Sequence, residues 1–324
     1  MTEMGAQRRS DLHPDVAAML AALESFPDVT RYEAAELREI IAARRAPLTR
    51  QPDMRTARDH VIPGPGGDLT VRVYVPHGDA LRPVVVFAHG GGFVFCDLDS
   101  HDEFCRSTAQ AVDAVVVSVD YRRAPEHPGP AAMEDLYAAV TWVHRHAGEF
   151  GGDPERIAVA GDSAGGNLAA TVSLAARDRG GPPIAAQVLI YPVIDDDFDT
   201  ESYRRYGAGY YNTTEAMRWY WQQYAPHGTD SPYLVPTRAD SLAGLPPAVV
   251  VTAELDPPCS AGEDYARRLA AAGVPVTAHR FDGLFHGFLT FPKLSLTGPA
   301  RAELWQMMRA VLASPRPAVG EGTA

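Results

Sequence analysis

A serine in a glycine-rich turn is the first feature of this sequence that could do chemistry. Ser163 lies in GDSAGGN, residues 161–167, after an apolar run that ends at Ala160 and before the helical pattern LAATVSLAARD. In a strand–turn–helix setting, the G-x-S-x-G spacing folds the backbone sharply and exposes the hydroxyl at a helix N-terminus, where the helix dipole favours negative charge. The pattern therefore predicts Ser163 as a nucleophile.

A serine nucleophile needs a base, and His286 is the best placed of the eleven histidines. It follows the last apolar run, within FDGLFHGF, and precedes the final helical pattern. An acid that orients this base should come from another strand end, and VVVTAELDPP offers two carboxylates. We predict Asp256, because it lies past the apolar run at the edge of the sheet, and Glu254 remains the alternative.

A second glycine-rich turn, HGGG at residues 89–92, directly follows the apolar run Val84–Ala88. Bare backbone N–H groups at such a turn can stabilise the negative charge that forms on an ester carbonyl, and one donor is worth roughly 10²–10³ in rate. Ala164, next to the nucleophile, supplies a further N–H. A phosphate-binding loop would end in a lysine and a hydroxyl, whereas Phe93 follows here, so we predict an oxyanion hole braced by a hydrogen bond of His89.

These turns need a framework, and the apolar pattern predicts an α/β fold with a mostly parallel sheet and helices on both faces. A hairpin is expected around GPGG, residues 64–67. Six apolar runs then alternate with helical patterns, and we predict them as strands: Val84–Ala88, Ala114–Val119, Ile157–Ala160, Gln187–Tyr191, Ala248–Thr252 and Val276–Phe281.

Two segments depart from the β-α alternation. Residues 1–50 are predicted as an N-terminal helical cap segment, with helical patterns from about residue 12. Residues 195–230 are aromatic-rich and are expected to form a second cap insertion, with a core-packing excursion as the alternative. They interrupt a catalytic domain that we place at residues 51–313, and residues 314–324 are expected to be a disordered tail.

Composition limits the classes of partner and the location. The chain has 324 residues, 46% hydrophobic and 22% charged, and a formal net charge of −12, which argues against nucleic acid and anionic membranes. The apolar run after Arg8-Arg9 has only eight residues before Glu24, too few for a signal core or a membrane span. With three cysteines in no metal-like or disulfide-like spacing, we expect a cytoplasmic protein.

Seven motifs in order closely resemble the hormone-sensitive-lipase-like esterases, bacterial family IV, of the α/β-hydrolase fold, over about residues 12–312. They are HGGGF, YRRAPEHPGPAA, GDSAGGN, LIYPVID, SPYLVP, LPPAVVVTAELDP and FHGF. The order of serine, acid and histidine also agrees with that fold. The resemblance implies a carboxylester hydrolase with an N-terminal helical cap and an oxyanion hole formed by Gly91, Gly92 and Ala164.

Two departures from the family pattern stand out. After Asp256 the family usually continues D-P-L-R-D-E-G, whereas this chain has DPPCSAG, which removes charged residues that support the acid loop. Gly129 stands where the family prefers an aromatic residue, and looser packing is expected there.

The sequence thus predicts a serine esterase for short-to-medium acyl esters that works through an acyl-enzyme, with Phe93 and Tyr191 as candidate substrate contacts. No metal or cofactor is expected. A small-molecule ester is the expected partner, and a homodimer is the candidate assembly. The alternatives are a lyase, cyclase or acyl-transfer enzyme that uses the same pocket, which release of acetate from an aryl acetate would distinguish, and a non-catalytic ligand receptor, which should lack a triad member.

Overall fold

One mixed sheet organises the part of the chain that the computed structural model describes, residues 12–45 and 47–313. Its strands are β1 (Thr56–Gly64), β2 (Gly67–Val75), β3 (Arg82–Ala88), β4 (Val115–Val119), β5 (Gly152–Asp162), β6 (Ala186–Ile190), β7 (Ala248–Leu255) and β8 (Val276–Phe285). Their spatial order is β1-β2-β4-β3-β5-β6-β7-β8. The β1–β2 and β2–β4 pairs are antiparallel, and every pair from β4 to β8 is parallel. The predicted fold class and hairpin are confirmed.

Nine α-helices accompany the sheet in the described residues. They are α1 (Pro14–Leu23), α2 (Ala34–Ala43), α3 (Asp102–Val112), α4 (Ala131–His146), α5 (Ala164–Asp178), α6 (Glu201–Tyr206), α7 (Thr214–Tyr224), α8 (Cys259–Ala271) and α9 (Thr297–Ala313). Within these residues, no helix combines the length and the apolar character that crossing a membrane requires.

The alternation of side chains along the strands gives the sheet a separate core on each face. In β3, Val84 and Val86 belong to the core that α4, α5 and α8 cover, whereas Val85 and Phe87 belong to the core under α3 and α9. Because both faces are buried, these strands are continuous valine-rich runs rather than alternating ones. That is why their positions could be predicted from the sequence.

The strand order reverses beside β3, and this reversal creates the crevice where the glycine-rich turns lie. The chain passes from β3 to β4 on one side and then returns to β5 on the other side of β3. In open α/β sheets, ligands bind outside the carboxyl ends of the strands at such a point. The HGGG turn after β3 and the GDSAG turn after β5 are therefore neighbours.

Both segments that depart from the β-α alternation contain helices. Residues 12–45 contain α1, the 3₁₀ turn Val29–Arg31 and α2, and residues 195–230 contain α6 and α7. Arg38 of α2 connects the first segment to the loops that follow β3 and β4. Its guanidinium donates hydrogen bonds to the carbonyls of Val94 and Ala124 at 2.7 and 2.6 Å. Residues 1–11 and Ala46 of the expected cap segment, and the expected disordered tail 314–324, lie outside the described residues.

Candidate active site

Ser163 occupies a strained turn between β5 and α5. Its backbone has φ 57° and ψ −118°, a conformation that non-glycine residues rarely adopt and that is found where structure is held for function. Glycine is required on both sides: a Cβ on Gly161 would lie 2.2 Å from the carbonyl oxygen of Gly165, and one on Gly165 would lie 1.9 Å from that of Ala88. The G-x-S-x-G spacing thus follows from the close approach of β5, α5 and β3.

Ser163, His286 and Asp256 form a continuous hydrogen-bonded chain. His286 Nε2 lies 2.7 Å from Ser163 Oγ, and His286 Nδ1 lies 2.7 Å from Asp256 Oδ2. Each of the three follows directly on a different strand, β5, β8 and β7, so the carboxyl ends of three strands meet here. All three side chains are buried. This arrangement can move a proton from the serine hydroxyl to the imidazole while a carboxylate holds the ring.

The structure places Asp256, and not Glu254, beside His286. Glu254 Oε2 instead accepts a hydrogen bond from the backbone N–H of Gly283 at 2.8 Å. Between the Ala253–Phe281 and Leu255–Phe285 pairs, β8 has two more residues than β7, and Gly283 lies in this irregular stretch. The pKa of Asp256 is raised above its ordinary value, because the effect of burial outweighs the lowering effect of His286.

The HGGG turn presents backbone N–H groups next to the serine. Gly91 and Gly92 have φ values of 115° and 59°, and both line the cavity that Ser163 enters. A Cβ on Gly91 would lie 2.2 Å from the carbonyl oxygen of Phe95, and one on Gly92 would lie 2.4 Å from the ring of Tyr220. Among the described residues, no protein acceptor takes the N–H of either glycine.

The sequence motifs do not predict the buried polar cluster that lies behind this turn. Asp162 Oδ1 accepts the N–H of Gly90 at 2.8 Å and lies 3.1 Å from His101 Nε2. Burial alone would raise the pKa of Asp162, but His101 and the Gly90 N–H bring it below its ordinary value. Burial and the neighbouring His101 lower the pKa of His89 to about 3, so His89 is neutral at physiological pH.

His89 itself has the bracing contact that the sequence predicts. Its Nδ1 lies 2.7 Å from the carbonyl oxygen of Gly90, and its ring stacks on Tyr121 with centroids 4.3 Å apart.

The signal for Asp162 was present in the sequence, since a charged residue directly between a buried strand and a nucleophile requires a partner. Its partner His101 lies in no motif that marks it as functional.

The cavity in front of Ser163 has a volume of about 630 Å³, within the usual range for small-molecule sites. Its walls come from the HGGG turn, from residues 20–30, from residues 209–220 and from the loop after His286. Aromatic side chains contribute much of this wall: Phe26, Phe95, Tyr211, Tyr220 and Phe291.

The structure does not bring the two predicted substrate contacts into this cavity. Phe93, at φ 64°, is buried and stacks on Tyr224 with ring centroids 3.8 Å apart. Tyr191 is buried behind the site, with its ring 5.0 Å from that of His286. Both support the walls from behind, and the aromatic residues that face the cavity come from elsewhere in the chain.

The expectation of looser packing at Gly129 is wrong. A Cβ there would lie 2.4 Å from Leu234 Cδ2 and 2.8 Å from the ring of Tyr224, so the absence of a side chain is used for close contact. The N–H of Gly129 also donates to the Tyr224 carbonyl at 2.7 Å.

As for metals, the described residues contain no group of three or more His, Cys, Asp or Glu side chains arranged to hold an ion.

Known proteins match both the sequence and the structure. A family model described as alpha/beta hydrolase fold matches residues 85–290. Carboxylic ester hydrolase LipN of Mycobacterium tuberculosis is 46% identical over 73% of this chain, which spans 65% of LipN. Carboxylesterase NlhH of the same organism is 41% identical over 90% of this chain and 93% of its own.

Solved structures agree with these relatives. A hyperthermophilic esterase from Pyrobaculum calidifontis is 39% identical and superposes with a TM-score of 0.86, over 94% of this chain and 99% of that one. A thermostable esterase from Pseudomonas putida is 34% identical, with a TM-score of 0.87 over 94% and 98% of the two chains. The chain therefore belongs to the α/β-hydrolase family and, within it, to the hormone-sensitive-lipase-like esterases.

Proposed function

We propose that Ser163, His286 and Asp256 are the catalytic triad of a serine carboxylester hydrolase. The observation that carries the proposal is the unbroken chain from Ser163 Oγ through His286 to Asp256, with two contacts of 2.7 Å, that opens onto a cavity. A chain of nucleophile, base and orienting acid within hydrogen-bond reach is the arrangement that activates a serine.

In the first half of the reaction, His286 Nε2 takes the proton of Ser163 as Oγ attacks the acyl carbon. Asp256 holds the imidazole in the required tautomer and stabilises its positive charge. The N–H groups of Gly91, Gly92 and Ala164 stabilise the oxyanion. The intermediate then collapses to an acyl-enzyme, and His286 gives the proton to the leaving alcohol.

In the second half, His286 takes a proton from water, which attacks the acyl carbon of the acyl-enzyme. The second tetrahedral intermediate uses the same N–H groups and expels Ser163 Oγ, to which His286 returns the proton. Each step uses side chains, backbone N–H groups and water.

The substrates that we propose are esters of short-to-medium acyl chains, about two to eight carbons, as the resemblance to the family implies, and a cavity of about 630 Å³ is in the range of small-molecule sites. The residues 20–30 and 209–220 that form its walls belong to two segments, 1–50 and 195–230, which we propose as caps over a catalytic domain of residues 51–313. A cap excludes water and so strengthens the contacts to the charged intermediate.

We also propose a cytoplasmic location and a homodimer. Cys96, Cys105 and Cys259 are free thiols, as is usual in a reducing compartment. Strand β8 is an outer strand of the sheet, and an unpaired strand edge can pair with another copy. The net charge of −12 argues against nucleic acid as a partner.

The test is the rate of hydrolysis of 4-nitrophenyl esters from acetate to palmitate by the full chain and by Ser163→Ala. We expect the wild-type rate to fall steeply beyond about eight carbons and the variant to lose roughly 10⁶ in kcat. A Ser163→Ala protein with substantial activity would overturn the triad. A flat chain-length profile would overturn the proposed substrate class alone.

A further inference from the structure

A second serine, Ser202, connects the segment 195–230 to the loop that carries Asp256. Ser202 lies in the first turn of α6 and is buried. Its Oγ donates to the carbonyl of Pro257 at 2.5 Å and accepts the N–H of Ser260 at 3.0 Å. Its own N–H donates to Ser260 Oγ at 3.2 Å. Three hydrogen bonds thus join residues that are more than fifty positions apart in the chain.

The loop needs these contacts because its own sequence cannot supply them. The first N–H groups of a helix have no partner within the helix. Helix α8 begins at Cys259, and its N-cap residue, Pro258, has no side chain that could accept a hydrogen bond. Ser202 takes the N–H of Ser260 in its place. A residue from a different segment therefore acts as the cap of α8.

The position of the acid depends on this backbone. Asp256 Oδ2 contacts His286, whereas Asp256 Oδ1 has no hydrogen-bond partner among the described residues. The side chain is consequently not held from its second oxygen. Its placement follows from the backbone of the loop, which is closed by the contact of Cys259 N with Asp256 O at 3.1 Å and by the three hydrogen bonds that join Ser202 to Pro257 and Ser260.

We propose that Ser202, together with Ser260, is a positioning residue that holds Asp256 in line with His286. This proposal rests on the proposed function of Asp256. It also explains how the loop DPPCSAG works without the charged residues that are usual in the family: a pair of serines, one of them from the segment 195–230, takes over the support.

The first measurement compares kcat and KM of Ser202→Ala with those of Ser173→Ala. Ser173 is a matched control, since its hydroxyl is also buried and donates to a backbone carbonyl, that of Ala169, at 2.8 Å. Misplacement of a catalytic group by about 1 Å can cost 10²-fold, and we expect Ser202→Ala to lower kcat about tenfold with KM within about twofold. Ser173→Ala should keep the wild-type kcat. A wild-type kcat in Ser202→Ala would overturn the proposal.

The second measurement introduces Ser202→Ala into Asp256→Asn, with active sites titrated so that unfolded protein is not counted. Because Ser202 acts through Asp256, the added change should lower kcat less than about twofold in that background. A full additional tenfold loss would show a general structural role and overturn the proposal, while the triad stands. If Asp256→Asn alone retains the wild-type kcat, the proposed triad fails as well.

A third variant covers the case in which Ser202→Ala does not fold. Ser260→Ala removes only the acceptor for the Ser202 N–H, so we expect a loss in kcat of about two- to threefold. That loss should also disappear in the Asp256→Asn background. Its persistence there would overturn the proposal.

Discussion

The substitution Asp256→Asn removes the negative charge of the acid but keeps the shape of its side chain. During catalysis His286 becomes positive, and its Nδ1 lies 2.7 Å from Asp256 Oδ2, so the two charge centres are about 3–4 Å apart. At an effective dielectric constant of about 20, such charges attract by roughly 4–5.5 kcal/mol. At about 1.4 kcal/mol for each factor of ten, this corresponds to a loss in kcat of about 10³–10⁴.

The control for this substitution is Glu254→Gln. Its carboxylate contacts the N–H of Gly283 and does not reach the imidazole, so we expect a change in kcat of less than about threefold. Steady-state kinetics with 4-nitrophenyl butyrate measures both variants. If Glu254→Gln loses more activity than Asp256→Asn, the assignment of the acid is wrong.

Asp256→Asn should lower the activity without lowering the stability of the fold. The fold raises the pKa of Asp256, with burial as the main cause, so above the unfolded pKa of about 4 the ionised form is disfavoured in the folded protein. A neutral asparagine removes this penalty. We therefore expect the Tm at pH 7 to be equal to or higher than that of the wild type, and a Tm that falls by several degrees would contradict this account.

Three other predictions address the oxyanion turn, the cavity and the N-terminal segment. Gly92→Ala places a Cβ against Tyr220 and should lower kcat by about 10²–10³, whereas Gly148→Ala, with open space around it, should not. Tyr220→Ala should move the optimum of a chain-length panel to longer acyl groups. Arg38 lowers the pKa of Glu126 to about 2, so Glu126→Gln should lower the Tm at pH 7 slightly, since the pair is partly exposed. That difference should shrink as the pH falls from about 4.5 toward 2.

The strands of the sheet could be predicted because their centres are buried on both faces, but their ends could not. Strand β5 begins at Gly152 and runs to Asp162, beyond the apolar run at 157–160, because its polar ends still pair with β3 and β6. Strand β8 likewise continues to Phe285 through Asp282 and Gly283. These extensions bring the neighbours of Ser163 and His286 to the end of the sheet, and they follow from pairing rather than from hydrophobicity.

The residues of the candidate site could be predicted where a motif fixes the backbone conformation. They were harder to predict where the direction of a side chain determines its contacts. Glycine spacing around Ser163 and the loop of His286 identify these two residues. The position of Asp256 past the apolar run predicts it as the acid, whereas no sequence pattern marks the contact of Glu254 with the N–H of Gly283. Phe93 turns away from the cavity because its backbone is left-handed, and the support of Asp256 by Ser202 depends on contacts between distant segments.

Covalent labelling tests most directly whether Ser163 carries the acyl group. The full chain is treated with diethyl 4-nitrophenyl phosphate, which phosphorylates activated serines, and the adduct is located by peptide mass mapping. We predict one diethyl phosphate group for each chain, on Ser163, with loss of hydrolysis in proportion to labelling and no adduct in Ser163→Ala. Loss of activity with the label on a different residue, or full labelling of Ser163 with hydrolysis intact, would contradict the proposed mechanism.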